Sequence, residues 1–351
     1  MIPAAPLPFV TTDLPGSGGE VKASPEDFRV DEIPAYEPCG SGAHLWLLVE
    51  KRGRTTRDVV RELSRQLGVP ERDAGVAGLK DRHAVTTQWL SFPATRDPGP
   101  DGLAGEGYRV LRATRHGNKL RTGHSRGNRF SIVVRGGDLT AARAVADALS
   151  WRGLPNFFGA QRFGVDGRNA ALGRAILLGT PDPEARRASR DRFLRRMTLS
   201  AWQSLLFNRW LSARMADGLF ARALAGDAMK KLDNGGVFTC EDPEADQPRV
   251  DRFEISPAGP MFGHKLRLTS GEAGAREARM LADDGVSEAD LARGGGETEG
   301  TRRAARIQVA VALEPLDGGY RASFDLPRGS YATVVTGELT KSGADLGESA
   351  E

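Results

Sequence analysis

Two cysteines are all that this 351-residue chain contains. Cys39 and Cys240 lie far apart and outside any CxxC spacing, which excludes a disulfide framework and fits reduced thiols in a cytoplasmic protein. Histidine is nearly as scarce. His44, His83, His116, His124 and His264 form no HxxxH or HExxH pair, so no metal site is expected. No run approaches the ~18 apolar residues of a membrane span. The opening MIPAAPLPFVTTDLPGSGG has neither a basic n-region nor an apolar h-region, so no secretory signal and no membrane partner are expected. The GxGxxG and GxxxxGK[ST] spacings are also missing, which removes the main support for a dinucleotide or P-loop site.

Acidic residues are absent from one stretch. Between Gly107 and Gly137 there is no Asp or Glu, while Arg109, Arg112, Arg115, Lys119, Arg121, Arg126, Arg129 and Arg135 all fall there. A solvated charge run normally mixes signs, so this one reads as an anion-facing surface, with a polyphosphate backbone as the commonest partner. The net charge of +3 says little by itself. Arginine exceeds lysine 41 to 8, which warns against reading every Arg as a contact.

What is present alternates between strand and helix without a regular βαβ order, which predicts an α+β fold. Phe28 and Val30 alternate with charged neighbours within 21–33, and HLWLLVE (44–50) reads as a buried strand. Thr55 or Thr56 caps a helix whose apolar face is Val59, Val60, Leu63 and Leu67, ended by Gly68. Strands are expected near 85–92 and 129–135, and a helix capped by Thr140 over 140–152, using Val145 and Leu149. A long helical pattern occupies 183–216. Strand alternation returns at Ile307, Val309, Val311 and Leu313, then at Tyr320, Ala322, Phe324 and Leu326. These last strands read as partners of the N-terminal sheet, which makes residues 181–305 an inserted domain and assigns 1–180 and 306–351 to one discontinuous domain. The small polar tail from Ser342 reads as disordered.

Two stretches carry chemistry. In AGLKDRHAVTTQWLSF (77–92), four ionisable residues stand between a small-residue segment and a strand, so Asp81 sits in a turn held on both sides by ordered structure. In GLPNFFGAQRFG (153–164), glycines and a proline favour a rigid loop. Its Asn156 and Gln161 donate and accept at once, and Phe157, Phe158 and Phe163 offer stacking faces for an extruded base, or fill the core beneath the loop.

GLKDRHAVTTQ (78–88) and PNFFGAQRFG (155–164), with KASPEDFRVDE (22–32), GNRF (127–130) and FDLPRGSYAT (324–333), resemble the signature segments of the tRNA pseudouridine synthase D family. The resemblance spans nearly the whole length and thins to pieces such as LDNGGVF (232–238) in the middle. It implies a catalytic domain with a mixed, mainly antiparallel sheet and an inserted α+β domain. It also implies a cofactor-independent isomerase that breaks the N1–C1′ bond of a uridine, at position 13 of tRNA, and rejoins the base through C5. Asp81 is then the catalytic carboxylate. Phe28, Asn156, Phe158 and Tyr331 are implied as contacts of the uridine, and Tyr331 stands where many relatives have Phe. Lys22 is the expected ion-pair partner of Asp81, since a nearby cation favours an ionised carboxylate. Arg115, Lys119, Arg121 and Arg126 are expected on the RNA backbone. A monomer is expected, because a lone cleft facing a large RNA needs no symmetry. The alternatives are a non-catalytic RNA-binding protein on the same scaffold and a nucleoside or glycoside hydrolase. The hydrolase needs a second carboxylate, for which Glu26 or Glu32 would have to serve.

Overall fold

A computed structural model of the chain describes residues 6–95, 98–267 and 269–342. Beyond Ser342 the expected polar tail lies outside the described residues. Two compact units form, one from residues 15–146, 310–332 and 339–342, the other from 6–14, 147–309 and 333–338. Residues 147–180, expected with the N-terminal segment, thus pack with the middle of the chain. The Arg168–Leu178 helix lies close against the Arg192–Ala216 helix because Gly173 has no side chain, and a Cβ there would meet the carbonyl oxygen of Thr198 at 2.1 Å.

The first unit is built on a ten-stranded sheet. Its main path runs Ala312–Leu316, Gly319–Pro327, Ser125–Arg135, Phe28–Pro34, Val85–Pro93, His44–Lys51, Tyr108–His116, Ala104–Gly105. Of these neighbours only Phe28–Pro34 and Val85–Pro93 run parallel. The fold is therefore α+β with a mixed, mainly antiparallel sheet, and the C-terminal hairpin joins the N-terminal strands, as the alternation predicts.

Period-2 alternation separates the two faces. Leu45, Leu47 and Val49 pack with Leu90 and Phe92 against Val59, Leu63 and Leu67 of the Thr56–Leu67 helix, while Trp46 turns to the opposite face beside Trp89, Ala77 and Leu120. Thr55 caps that helix, accepting from the Asp58 amide, and Gly68 ends it in the left-handed conformation at φ 69°.

Three local expectations give way to long-range or capping interactions. The helix after Gly137 starts at Leu139, and Asp138 takes the role expected of Thr140, because its carboxylate reaches the amides of Thr140 and Ala141 at 2.7 and 3.3 Å. The pattern over 183–216 is two helices, Pro183–Arg190 and Arg192–Ala216. Asp191 between them is extended and accepts from the Leu194 amide, a capping conformation that competes with helix continuation. The strand expected over 307–313 is broken. Arg306–Ile307 pairs with Leu154–Pro155 in the second unit, and Ala312–Leu316 joins the hairpin of the first.

In the second unit a four-stranded antiparallel sheet runs Val237–Thr239, Ala228–Lys231, Ile255–Met261, Thr301–Ala304. Its helices bury Leu177, Leu199, Trp202, Leu206 and Leu281 around Phe262. Arg214 is 2% exposed and donates to both oxygens of Asp227, at 3.0 and 2.6 Å.

Each of two ion pairs on a buried carboxylate makes a stability prediction. Replacing Arg214 by Leu leaves the Asp227 carboxylate buried without its cation, and chemical denaturation should show a loss of about 3–5 kcal/mol. In the first unit Arg135 donates to both oxygens of buried Asp27, at 2.8 and 2.7 Å. These bonds, opposed by burial and aided by the Ser24 amide, hold the Asp27 carboxyl below its ordinary 3.8. The folded chain then takes up this proton less readily than the unfolded one, so the stabilisation exists above about pH 4 and fades as pH falls through the lowered value. Arg135→Gln should lower the denaturation midpoint at pH 7, and the gap to the native chain should close towards pH 2.

Candidate active site

Asp81 lies in the turn between Gly75–Val76 and Val85–Pro93, where the chain has left one strand ladder and not yet entered the next. Gly78, Lys80, Asp81 and Arg82 of that turn are each fastened by something outside it. Gly78 O accepts from Gln88 Nε2 at 3.1 Å, and the Lys80 amide donates to Thr56 Oγ1 at 3.0 Å. Thr56 Oγ1 in turn donates to Gln88 Oε1 at 2.9 Å. Lys51, at the end of the His44–Lys51 strand and 2% exposed, donates from one ammonium to the carbonyls of Arg54, Lys80 and Asp81 at 2.8, 3.0 and 2.8 Å.

The two cations beside Asp81 in sequence point elsewhere. Lys80 Nζ donates to Asn128 Oδ1 at 2.6 Å and stands 3.4 Å from Glu32 Oε2, while Arg82 Nε reaches Gly53 O at 3.3 Å. The cation on the carboxylate is Lys22, whose Nζ is 2.6 Å from Asp81 Oδ2. The other oxygen, Oδ1, accepts from the His83 amide at 2.9 Å. Lys22 holds this position with φ at 66°, and its ammonium also lies 5.2 Å from the centre of the buried Phe28 ring. The Asp81 side chain keeps 28% exposure, against 9% for Lys22. An ion-paired carboxylate on a fixed turn and open to solvent can act as a nucleophile or a base.

Neither of the carboxylates that a hydrolase would need is presented like Asp81. Glu26 pairs with Arg52 at 2.6 Å. Glu32 is buried, its Oε1 accepts from the Trp89 amide at 3.3 Å, and burial raises its carboxyl against the opposing pull of Lys80.

Asn156 and Phe158 lie in the second unit and meet there on one arginine. Arg303 Nε donates to Asn156 O at 2.9 Å and Nη2 to Asn156 Oδ1 at 2.6 Å. Its Cζ stands 3.9 Å from the centre of the Phe158 ring. Asn156 Nδ2 donates to Ala304 O at 3.0 Å. Phe157 and Phe163 are 1% and 4% exposed and fill the core beneath the loop. Tyr331 is half-buried, directly before the Ala332–Thr340 helix.

The basic run is only partly what its sequence suggests. Carboxylates absent from the run arrive from other elements: Arg109 pairs with Glu50 at 2.9 Å, Arg129 with both oxygens of Asp325, and Arg135 with Asp27. Of the four residues expected on an RNA backbone, Arg115 and Lys119 are half-buried, and they donate to Gly42 O and Arg72 O respectively. Arg121 and Arg126 are exposed, and no ion pair to a described residue holds either.

Lys51, Thr56 and Arg303 went unread as site residues because their bonds to Lys80, Asp81 and Asn156 span long stretches of sequence, while Gln88 carried a signal as the last residue of GLKDRHAVTTQ. Asn128 did carry a signal, as part of GNRF, and its amide receives Lys80.

Known proteins bear on this arrangement. The sequence matches the family described as tRNA pseudouridine synthase D (TruD) over residues 7–190 and 186–339. It is 73% identical to the tRNA pseudouridine synthase D of Anaeromyxobacter dehalogenans strain 2CP-1, covering 98% of this chain and 99% of that one. A protein of the same name from Thermus thermophilus is 44% identical, over 95% and 92%. A solved structure assigned to the same family, from Methanosarcina mazei, superposes with a TM-score of 0.73 at 27% identity, over 95% and 96% of the two chains. The segments that surround Asp81 and those that surround Asn156 both fall within the matched residues, and the chain belongs to the tRNA pseudouridine synthase D family.

Proposed function

We propose that this chain converts uridine 13 of tRNA into pseudouridine in the cytoplasm, with Asp81 as the catalytic carboxylate and Lys22 as its ion-pair partner. Family membership makes it an RNA-modifying isomerase. The observation that carries the residue assignment is the Lys22–Asp81 contact at 2.6 Å on a turn tied down at Gly78, Lys80 and Asp81.

The reaction breaks N1–C1′, turns the uracil and forms C5–C1′. The proton on C5 is lost and N1 gains one, so composition does not change. Three routes use a single ionised carboxylate: attack on C1′, attack on C6, or removal of a sugar proton. Each needs Asp81 fixed and deprotonated, and each is served by a cation on one oxygen with the other aimed by an N–H donor. Phe28, Asn156, Phe158 and Tyr331 contact the uridine. Extruding that base costs a few kcal/mol of unstacking, which ring contacts offset. The unit that carries Asp81 supplies the catalytic scaffold, and the chain works as a monomer. Arg115, Lys119, Arg121 and Arg126 take the RNA backbone. Among the described residues no helix is long and apolar enough to cross a membrane.

Carbodiimide mapping of unmodified tRNA incubated with the native chain should reveal one new pseudouridine, and Asp81→Asn should give none. Lys22→Met removes a charge-assisted bond of about 1.5–3 kcal/mol and should slow formation about 10- to 100-fold; a rate near the native one removes Lys22 from its role. Release of free uracil would mark a hydrolase instead. Arg121→Ala and Arg126→Ala should each weaken tRNA binding and flatten the slope of log affinity against log salt by about one, measured by filter binding across a salt series.

A further inference from the structure

Lys51 is a lysine buried at the end of a core strand. Apolar burial would be served by Met or Leu at this place in the strand, and an ammonium taken out of water is costly unless its donors are used. At Lys51 they are used on backbone carbonyls, those of Arg54, Lys80 and Asp81, at 2.8, 3.0 and 2.8 Å. Two of the three belong to the turn that carries Asp81. Those carbonyls lie past the end of one strand at Val76 and before the start of the next at Val85, outside either ladder. Lys51 supplies them with donors, and it brings a fixed positive charge to the peptide group of Asp81, on the backbone side, while Lys22 holds the side-chain oxygen.

We propose that Lys51 is a positioning residue for the reaction, setting the position and orientation of Asp81 by clamping the carbonyls of Lys80 and Asp81. This rests on the assignment of Asp81 as the catalytic carboxylate. The clamp acts through Asp81 and touches no substrate, so it governs the chemical step and leaves RNA binding alone. The neighbouring ties point the same way. Thr56 holds the Lys80 amide, Gln88 holds Gly78, and Asn128 holds the Lys80 side chain, so Lys51 supplies the tie to the Asp81 carbonyl within a set that fixes the turn at Gly78, Lys80 and Asp81.

The test separates rate from affinity. In full-length Lys51→Met, the single-turnover rate of pseudouridine formation on unmodified tRNA should fall about 100-fold, the loss expected from a displacement near 1 Å in a reacting group. The tRNA dissociation constant should stay within about twofold of the native value, and circular dichroism should show a cooperative melt. Should Lys51→Met fail to fold, Lys51→Gln, which keeps a donor towards the carbonyls without the charge, takes its place in the same comparison. A rate within about threefold of native overturns the proposal, as does a parallel fall of rate and affinity. If both variants fail to fold, Lys51 supports the fold at large and the proposal falls. A native chain that makes no pseudouridine, or an Asp81→Asn chain that still makes it, strikes the assignment of Asp81 itself and is distinguishable from all of these.

Discussion

A single ion pair, Lys22 to Asp81 at 2.6 Å, spans 59 positions of sequence, and much of the first unit is arranged so that it can form. Lys22 precedes the Phe28–Pro34 strand and Asp81 precedes Val85–Pro93. These two strands are the parallel pair of the main sheet, with Arg29 opposite Val85. Parallel pairing puts the beginnings of both strands at the same end of the sheet, which is where the two charges meet. An antiparallel pairing would have sent them to opposite ends. Everything else around Asp81 refines that meeting: the Lys51 ammonium under the backbone, Thr56 and Gln88 at the side, and Glu32 and Asn128 drawing Lys80 away from the carboxylate.

How much of this could be read from the chain depends on the range of each interaction. The Thr56–Leu67 helix was legible because its cap, its apolar face and its terminating glycine all lie within fourteen residues of one another. Asp191 was harder, since the apolar periodicity runs past it and only its capping geometry divides the helices. The turn at Asp81 was legible as a motif, and the Lys22 contact as an expectation from the family's N-terminal segment. Lys51 was not legible, because nothing local distinguishes a strand-end lysine facing solvent from one driven inward to backbone carbonyls. Arg303 shares that property: its meaning lies in Asn156 and Phe158, far away in the chain.

The basic run shows the same limit from the side of charge. One sign along the sequence becomes mixed sign in space once Glu50, Asp325 and Asp27 are brought in by neighbouring strands and turns. The cations left on view at Arg121 and Arg126 flank the loop that Arg328 ties to Gly123 O. A linear charge count thus overstates the anion-binding surface wherever a sheet pairs the basic strand with an acidic one.

The order of strands has a consequence for synthesis. Lys22, Glu32, Lys51, Thr56, Lys80, Asp81, Gln88 and Asn128 all lie before Arg135, so the scaffold around Asp81 is encoded before residues 147–309 of the second unit are made. The outer edge of the Ser125–Arg135 strand, however, is covered along most of its length by Gly319–Pro327, from near the end of the chain. At ribosomal rates that edge waits on the order of ten seconds or more with its backbone groups open to other strands. During that wait Arg129 has no Asp325 to pair with. Its charge, then facing only Asp31 across the ladder, is repeated on every copy of the chain and disfavours the pairing of one nascent edge with another.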